Sequence, residues 1–299
     1  MRLLVITPHF TPDTAPTGVV VTALVEEWCR LGHHAHVVTA LPWYQEHRVA
    51  DGWTGRLARH GHHGTATVTR LHPFPVRKDR TGRRAAAFGA FTVLAAVTAA
   101  ATRGPFDVVV AVSPPITLAF AARLAALSHG CPTVLNVQDV FPDVAVTVGA
   151  LNSRRLIGLA RRLERIAYRA TDAVTVLSTD LQDNITTKVA GLSRPPIVET
   201  IPNFVDTDNL RPLDRLTEYR REHRLGNRTV VMYAGNLGHS QSLDLVVEAA
   251  RRHQNRDDLV YVINGGGVRA EEIAAEAGGL QNLIVIGYQP FERLAEVLA

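Results

Sequence analysis

Apolar positions alternate along this chain between two rhythms. Short unbroken runs, bounded by turn formers, read as strands buried on both faces: Leu3 to Thr7 (LLVIT), HAHVVTA, TVTRLH, Asp107 to Val112, Thr133 to Gln138 and Ala173 to Leu177. Between them lie longer stretches with apolar residues three or four apart. One runs through Leu24, Val25, Trp28 and Leu31, with Thr17 as a candidate N-cap and Gly32 placed for a C-terminal cap. Others cover Ala85 to Thr102, Ile116 to about Ser128, and Arg154 to Arg169. Strands alternating with helices of this length predict a parallel sheet covered on both sides.

The rhythm restarts near Arg228. TVVMYAGNLG is a strand entering a glycine loop, Asp244 to Arg252 a helix, VYVINGGG a second strand and glycine loop, and LIVIGYQ a third strand. The turn-rich segment IPNFVDTDNLRP (Ile201 to Pro212) separates the two stretches. The predicted organisation is a first domain over 1–200, an interdomain segment over 201–228 and a second domain over 229–299. A typical domain takes about 100–150 residues. The second stretch is shorter, so it is expected to be a partial domain.

Composition adds limits. The chain has 299 residues, 46% hydrophobic and 20% charged, a mix ordinary for globular proteins. A formal charge of +4 and a pI near 9.4 suit anionic ligands or surfaces. Cys29 and Cys131 have no paired spacing, which fits a reducing compartment. The start, MRLLVITPHF, is a strand rather than a signal peptide. Ala85 to Thr102 is long enough to span a membrane, but half of it is Ala; it is expected to be a buried or interfacial helix. Basic residues are not interleaved with aromatics and no nucleic-acid motif is present, so no nucleic-acid partner is expected.

Open parallel sheets bind ligands outside the carboxyl ends of their strands. That rule singles out the loops after Thr7, Val112, Gln138, Gly235 and Gly265. Gly265 to Ala270 matches G-x-G-x-x-A between a strand and a helix. It supports either a pyrophosphate seat or a tight turn with close backbone packing. An NAD site also needs an acidic residue after the next strand, where Gly287, Tyr288 and Gln289 stand instead. The loop from Gly235 to Gln241 precedes a helix expected near Ser242, and its N–H groups are placed to meet an anion. Asp139 is either a polar group at a ligand or a turn and cap residue. The histidines at 33, 34 and 36 and at 60, 62 and 63 lack acidic or Cys companions and read as solvated loops rather than a metal site. Arg154 to Arg169 holds six Arg and one Glu, a solvated helix face or a face for anionic lipid.

Four segments together resemble the family 4 glycosyltransferases of bacterial surface-polysaccharide assembly. They are GVVVTALVEEWCRLGHHAHVVTA; VSPPITLAFAARLA with VLNVQDVFPD; IPNFVDTDNLRP; and MYAGNLGHSQSLDLVVEAA. The resemblance implies a GT-B fold, two Rossmann-like domains facing across a cleft, here with the second incomplete. It implies transfer of a sugar, with retained configuration and no metal, from a nucleoside diphosphate sugar bound by the C-terminal domain to a lipid-linked saccharide at the N-terminal one. On this resemblance the donor-binding candidates are Gly18, Asn236, Gly238, Gln241, Gly265 and Gly267, and the catalytic candidates are Asp139 and Ser113. The family often has Arg and Lys where Asn236 and Gln241 stand, and a His where Ser113 stands, so the cation that meets the diphosphate is left open. The family continues past this point with a further strand and an acidic, glycine-rich segment, so the chain alone is expected to transfer poorly. The site is expected on the cytoplasmic side, with contact to the membrane surface. An NAD-dependent oxidoreductase or epimerase, resting on the glycine turn, and a non-catalytic scaffold remain as alternatives.

Overall fold

The computed structural model describes residues 1–44, 48–75, 81–147, 149, 151–238 and 241–299. It divides into two compact units, 1–204 and 205–299. In the first, elements follow in the order β1 (Arg2–Ile6), α1 (Pro16–Arg30), β2 (His34–Ala40), β3 (Ala58–His63), β4 (Ala66–Leu71), α2 (Thr81–Ala101), β5 (Val108–Ser113), α3 (Leu118–His129), β6 (Thr133–Val137), α4 (Asp143–Thr147), α5 (Arg154–Arg169), β7 (Ala173–Val176), α6 (Thr179–Val189) and β8 (Ile197–Thr200). They build an eight-stranded sheet ordered β3-β4-β2-β1-β5-β6-β7-β8, parallel except for β3.

Side-chain alternation along the strands makes two cores. Leu4 and Ile6 face one side with Val109, Ala111, Leu135 and Val174, under α2, α3 and Tyr168 of α5. Leu3 and Val5 face the other with Val37, Val68, Val110 and Val112, under Val21 and Val25 of α1. The unbroken apolar strands of the sequence are therefore central ones, buried on both faces. The alanine-rich stretch is α2: Phe91, Ala95 and Ala99 sit in the first core, the small residues lying close against α3. Among the described residues no helix is long and apolar enough to cross a membrane.

Two local expectations need correction. Helix α1 starts at Pro16, with Ala15 as N-cap and Thr17 inside the first turn; the fixed φ of proline and its missing N–H suit the first helical position. The histidines at 60, 62 and 63 lie on a strand, β3, which pairs antiparallel with β4 through the turn at Gly64 (φ 54°). His60 and His36 are bound to threonines across the ladder. His60 Nδ1 lies 3.0 Å from Thr69 Oγ1, His36 Nε2 3.1 Å from the same oxygen, and Thr67 Oγ1 2.7 Å from His36 Nδ1. Burial, with His60 nearby, pushes the His36 imidazole down to about 4.

The second unit holds α7 (Glu218–Glu222), β9 (Thr229–Asn236), α8 (Asp244–Arg252), β10 (Leu259–Gly266), α9 (Ala270–Ala277), β11 (Leu283–Ile286) and α10 (Leu294–Leu298). Its parallel sheet is ordered β11-β10-β9. One face carries α8 and α9 over Tyr261 and Ile263, with Leu243 at the start of α8 in the same core; the other carries Tyr219, Leu225 and Val297 over Val260 and Val262. The segment from Val205 thus packs with this unit, and Tyr219 N–H donates to Glu296 Oε1 at 2.7 Å.

Candidate active site

In the first unit the chain leaves β1 to build one half of the sheet and returns at β5 to build the other. The crevice for a ligand in such a sheet opens at that reversal. The loops after β1 and β5 flank it, and the loop after β6 lies one strand further on.

The loop after β1 is ordered by its own side chains. Thr7 Oγ1 donates to the His9 carbonyl at 3.0 Å, and Thr11 N–H donates to Thr22 Oγ1 of α1 at 3.1 Å. His9 Nδ1 lies 2.7 Å from Asp13 Oδ2, whose other oxygen accepts from the Tyr44 N–H at 3.2 Å. The His9 ring stacks on Trp43, with centroids 5.4 Å apart at 23°, and meets Tyr44 edge-on. Buried Arg70 closes the far side. It donates to the Thr11 carbonyl at 2.6 Å and lies over Trp53, whose ring Arg59 also covers at 4.3 Å. Gly18 lets α1 approach this loop, since a Cβ there would lie 3.1 Å from His9 Cβ.

Ser113 ends β5. It is fully buried, and its Oγ has no hydrogen-bond partner among the described residues. Its carbonyl accepts from Gln138 N–H at 3.1 Å, which brings the loop after β6 alongside. Asp139 follows, exposed and outside any helix. Gln138 exchanges side-chain hydrogen bonds with Asn203, donating at 3.3 Å and accepting at 2.9 Å, so the N of the IPNF segment is clasped to this loop. Behind it, Lys188 donates to both Asp143 and Glu164 at 2.7 Å. Burial raises the Glu164 carboxyl, against the pull of Lys188, while Asp143 is held low by its bonds to Lys188 and Asn184 despite partial burial.

In the second unit Asn236, Gly238, Gln241, Gly265 and Gly267 come together where β9 and β10 end. The glycines serve the close approach of the two loops. A Cβ on Gly265 (φ 156°) would overlap the Gly235 carbonyl, and one on Gly267 (φ 153°) would lie 2.5 Å from the Leu237 oxygen and 2.9 Å from Asn236 Oδ1. Leu237 N–H donates to Gly266 O at 2.8 Å, and Arg269 N–H to Leu237 O at 3.0 Å. Gly238 N–H donates to Gln241 Oε1 at 3.2 Å. Of the amides expected to face an anion, that of 237 is therefore already bonded to the neighbouring loop and that of 238 within its own; positions 239 and 240 lie outside the described residues. The helix expected near Ser242 begins at Asp244. Arg269 is bound to Asp244 at 2.6 Å and Glu272 at 2.9 Å, which raises its guanidinium further and commits its charge.

A doubly wound sheet followed by a strand–helix unit with glycine-lined carboxyl ends has the architecture of a GT-B glycosyltransferase. Solved structures share it: Anabaena HepE in complex with UDP (12% identity, TM-score 0.63, covering 100% of this chain and 71% of that one); the catalytic domain of starch synthase IV from Arabidopsis thaliana bound to ADP and acarbose (13%, 0.65, 99% and 76%); and WaaG, a glycosyltransferase involved in lipopolysaccharide biosynthesis (15%, 0.62, 99% and 72%). Residues 17–203 match the glycosyl transferase 4-like domain, and the chain belongs to that family. It is 26% identical to the Escherichia coli K12 glycosyl transferase WcaI, whose name refers to colanic acid biosynthesis, over 100% of this chain and 74% of that protein.

Sequence reasoning singled out the five second-unit positions, Gly18, Ser113 and Asp139. It missed His9, Asp13, Trp43, Arg70 and the Gln138–Asn203 clasp. Ionisable residues within a few positions of the first strand's carboxyl end were the signal available for His9 and Asp13; Trp43 stands just past the second strand.

Proposed function

We propose that this glycosyltransferase moves a sugar from a nucleoside diphosphate sugar to a lipid-linked saccharide in cell-surface polysaccharide assembly, with retention of configuration and without a metal. The observation that carries the reading is the family match over residues 17–203, which takes in the loops after β2, β5 and β6. Support for the donor class comes from the UDP and ADP in the complexes of similar fold, and for the pathway class from the names of WcaI and WaaG.

In this reading the loops of Asn236, Gly238, Gln241, Gly265 and Gly267 take the nucleotide and diphosphate. Gln241 gives up the Gly238 N–H so that a phosphate oxygen can accept it. Gly18 leaves room for the loop after β1, and Ser113 and Asp139 border the acceptor. Helix α5 rests on the cytoplasmic face of the membrane. Its exposed Leu156, Leu159 and Ile166 lie among Arg155, Arg162 and Arg169, an arrangement suited to anionic lipid.

The test is a donor panel of nucleoside diphosphate sugars with mass detection of released nucleotide, alongside calorimetric titration of UDP and NAD. Binding of a nucleotide sugar, with slow turnover at most on addition of a lipid-linked saccharide, is the expected result. Binding of NAD with no affinity for any nucleotide sugar would overturn the reading.

A further inference from the structure

We propose that Arg70 and Arg59, in the first unit, form a recognition site for an oxyanion carried by the acceptor, either the carboxylate of an acidic sugar or a phosphate. That the acceptor is its bearer rests on the transferase reading above; the site itself lies within one unit.

The ladder places the two cations together. Arg59 and Arg70 are direct partners in the antiparallel pair β3–β4, so their side chains leave the same face of the sheet. Like charges set opposite one another on a sheet are unfavourable. Among the described residues no carboxylate offsets them. Acidic side chains on the neighbouring segments are committed elsewhere: Asp13 to His9, Asp51 to Arg48 and Glu26 to His63.

Arg70 carries the argument furthest. It is only 6% exposed, yet its one hydrogen bond runs from Nη2 to the Thr11 carbonyl, at 2.6 Å. Nε is buried without a partner, and Nη1 makes no hydrogen bond among the described residues. Nη1 also borders open space. Chain neighbours aside, it is the one described atom within 4 Å of where a Cβ on Gly61 would stand, at 3.9 Å. Burial, with Arg59 nearby, pulls the Arg70 guanidinium below its usual range, whereas Arg269, held by Glu272 and Asp244, is raised. A buried charge without a counter-ion is costly, and a ligand that brings the counter-ion offsets that cost.

The pair is also held in place for a ligand. Both guanidiniums lie over the Trp53 ring, at 4.3 and 5.2 Å from its centre, which restrains two otherwise flexible side chains. Arg70 is the penultimate residue of β4, which runs parallel to β2, so it stands at a carboxyl end and touches the loop after β1 through Thr11. That is the ligand side of such a sheet. The planar fork of Arg matches the paired oxygens of a carboxylate or a phosphate.

The test uses the 15N-labelled full chain. The indole N–H of Trp53, assigned with Trp53→Phe, reports on the site while methyl glucuronide, methyl phosphate or methyl glucoside is titrated in. At least one of the two anions should shift that signal saturably, and the neutral glucoside should not. The tighter anion names the bearer: the glucuronide an acidic sugar, the phosphate the linkage of saccharide to lipid. Arg70→Gln and Arg59→Gln should each weaken its binding about tenfold or more, the worth of a hydrogen bond to a charged group. The Kd for UDP should stay within about twofold of the parent. Arg59 is exposed, so its variant tests the site even where Arg70→Gln fails to fold. No saturable shift with either anion, an equal shift with methyl glucoside, or loss of UDP binding in Arg59→Gln would overturn the proposal. Failure to bind any nucleotide sugar strikes the functional reading; an unmoved Trp53 signal in a chain that binds UDP strikes this one.

Discussion

Gly265→Ala offers the sharpest test of what the glycine turn does. The backbone there has φ 156°, a region nearly closed to residues with a Cβ, at a cost of roughly 1–3 kcal/mol. The new methyl would also overlap the Gly235 carbonyl oxygen and lie 2.9 Å from its carbon. Neither of these is a side chain that can swing aside, and overpacking of this kind adds about 1–3 kcal/mol. The sum is about 4 kcal/mol, which for a unit of this size lowers the melting temperature by roughly 15–30 °C. Gly266→Ala is the control. Its methyl would meet Tyr288 Cε2 at 2.8 Å, but Tyr288 is 65% exposed and can move at the loss of its hydrogen bond to Gly266 O, about 1 kcal/mol. Hydrogen exchange of the β10 amides reads the second unit. Tryptophan fluorescence reads the first, because Trp28, Trp43 and Trp53 all lie there. If Gly265→Ala protects β10 as well as Gly266→Ala does, the glycines are not there for close packing and the argument is wrong.

Three further outcomes follow from the geometry. Ser113→Ala should raise stability by about 1 kcal/mol, since it removes a buried hydroxyl with no partner, and should lower transfer; a fall in melting temperature would refute the first half. The folded His36 ring takes its proton near 4 while an unfolded one does so near 6.5, so its contribution is complete above about 6.5 and is lost as pH falls towards 4. Allowing for the ring's partial exposure, urea melts should show about 2 kcal/mol lost over that range and less in His36→Gln; identical pH profiles would refute the assignment. Replacing Arg155, Arg162 and Arg169 with Gln should weaken sedimentation with phosphatidylglycerol vesicles by about 1 kcal/mol per charge, and equal binding to neutral vesicles would remove the electrostatic account.

The central strands were legible because both their faces are buried, which leaves an unbroken apolar run. The edges were not. ARHGHH and IVET lie at the two ends of the sheet, half exposed, and one carries three histidines and a glycine where a pattern of burial would have marked it. Helix α1 was found but entered two residues early, through a proline rather than the hydroxyl of Thr17. The glycine turn was legible as a turn; that Gly265 and Gly267 face the backbone of the neighbouring loop depends on register between β9 and β10, which sequence spacing does not contain. The pairing of His9 with Asp13 likewise depends on the path of the loop between them, although both residues stood in view.

The packing of Tyr219 and Leu225 over Val260 and Val262 bears on how such chains can be recombined. A swap of C-terminal halves between relatives at Thr229, where the first strand of the second sheet begins, would leave those valines bare in the donor half and a homeless Tyr219 in the recipient. A junction after Phe204 moves the strap, the sheet and α10 as one heritable module, hydrophobic cover included.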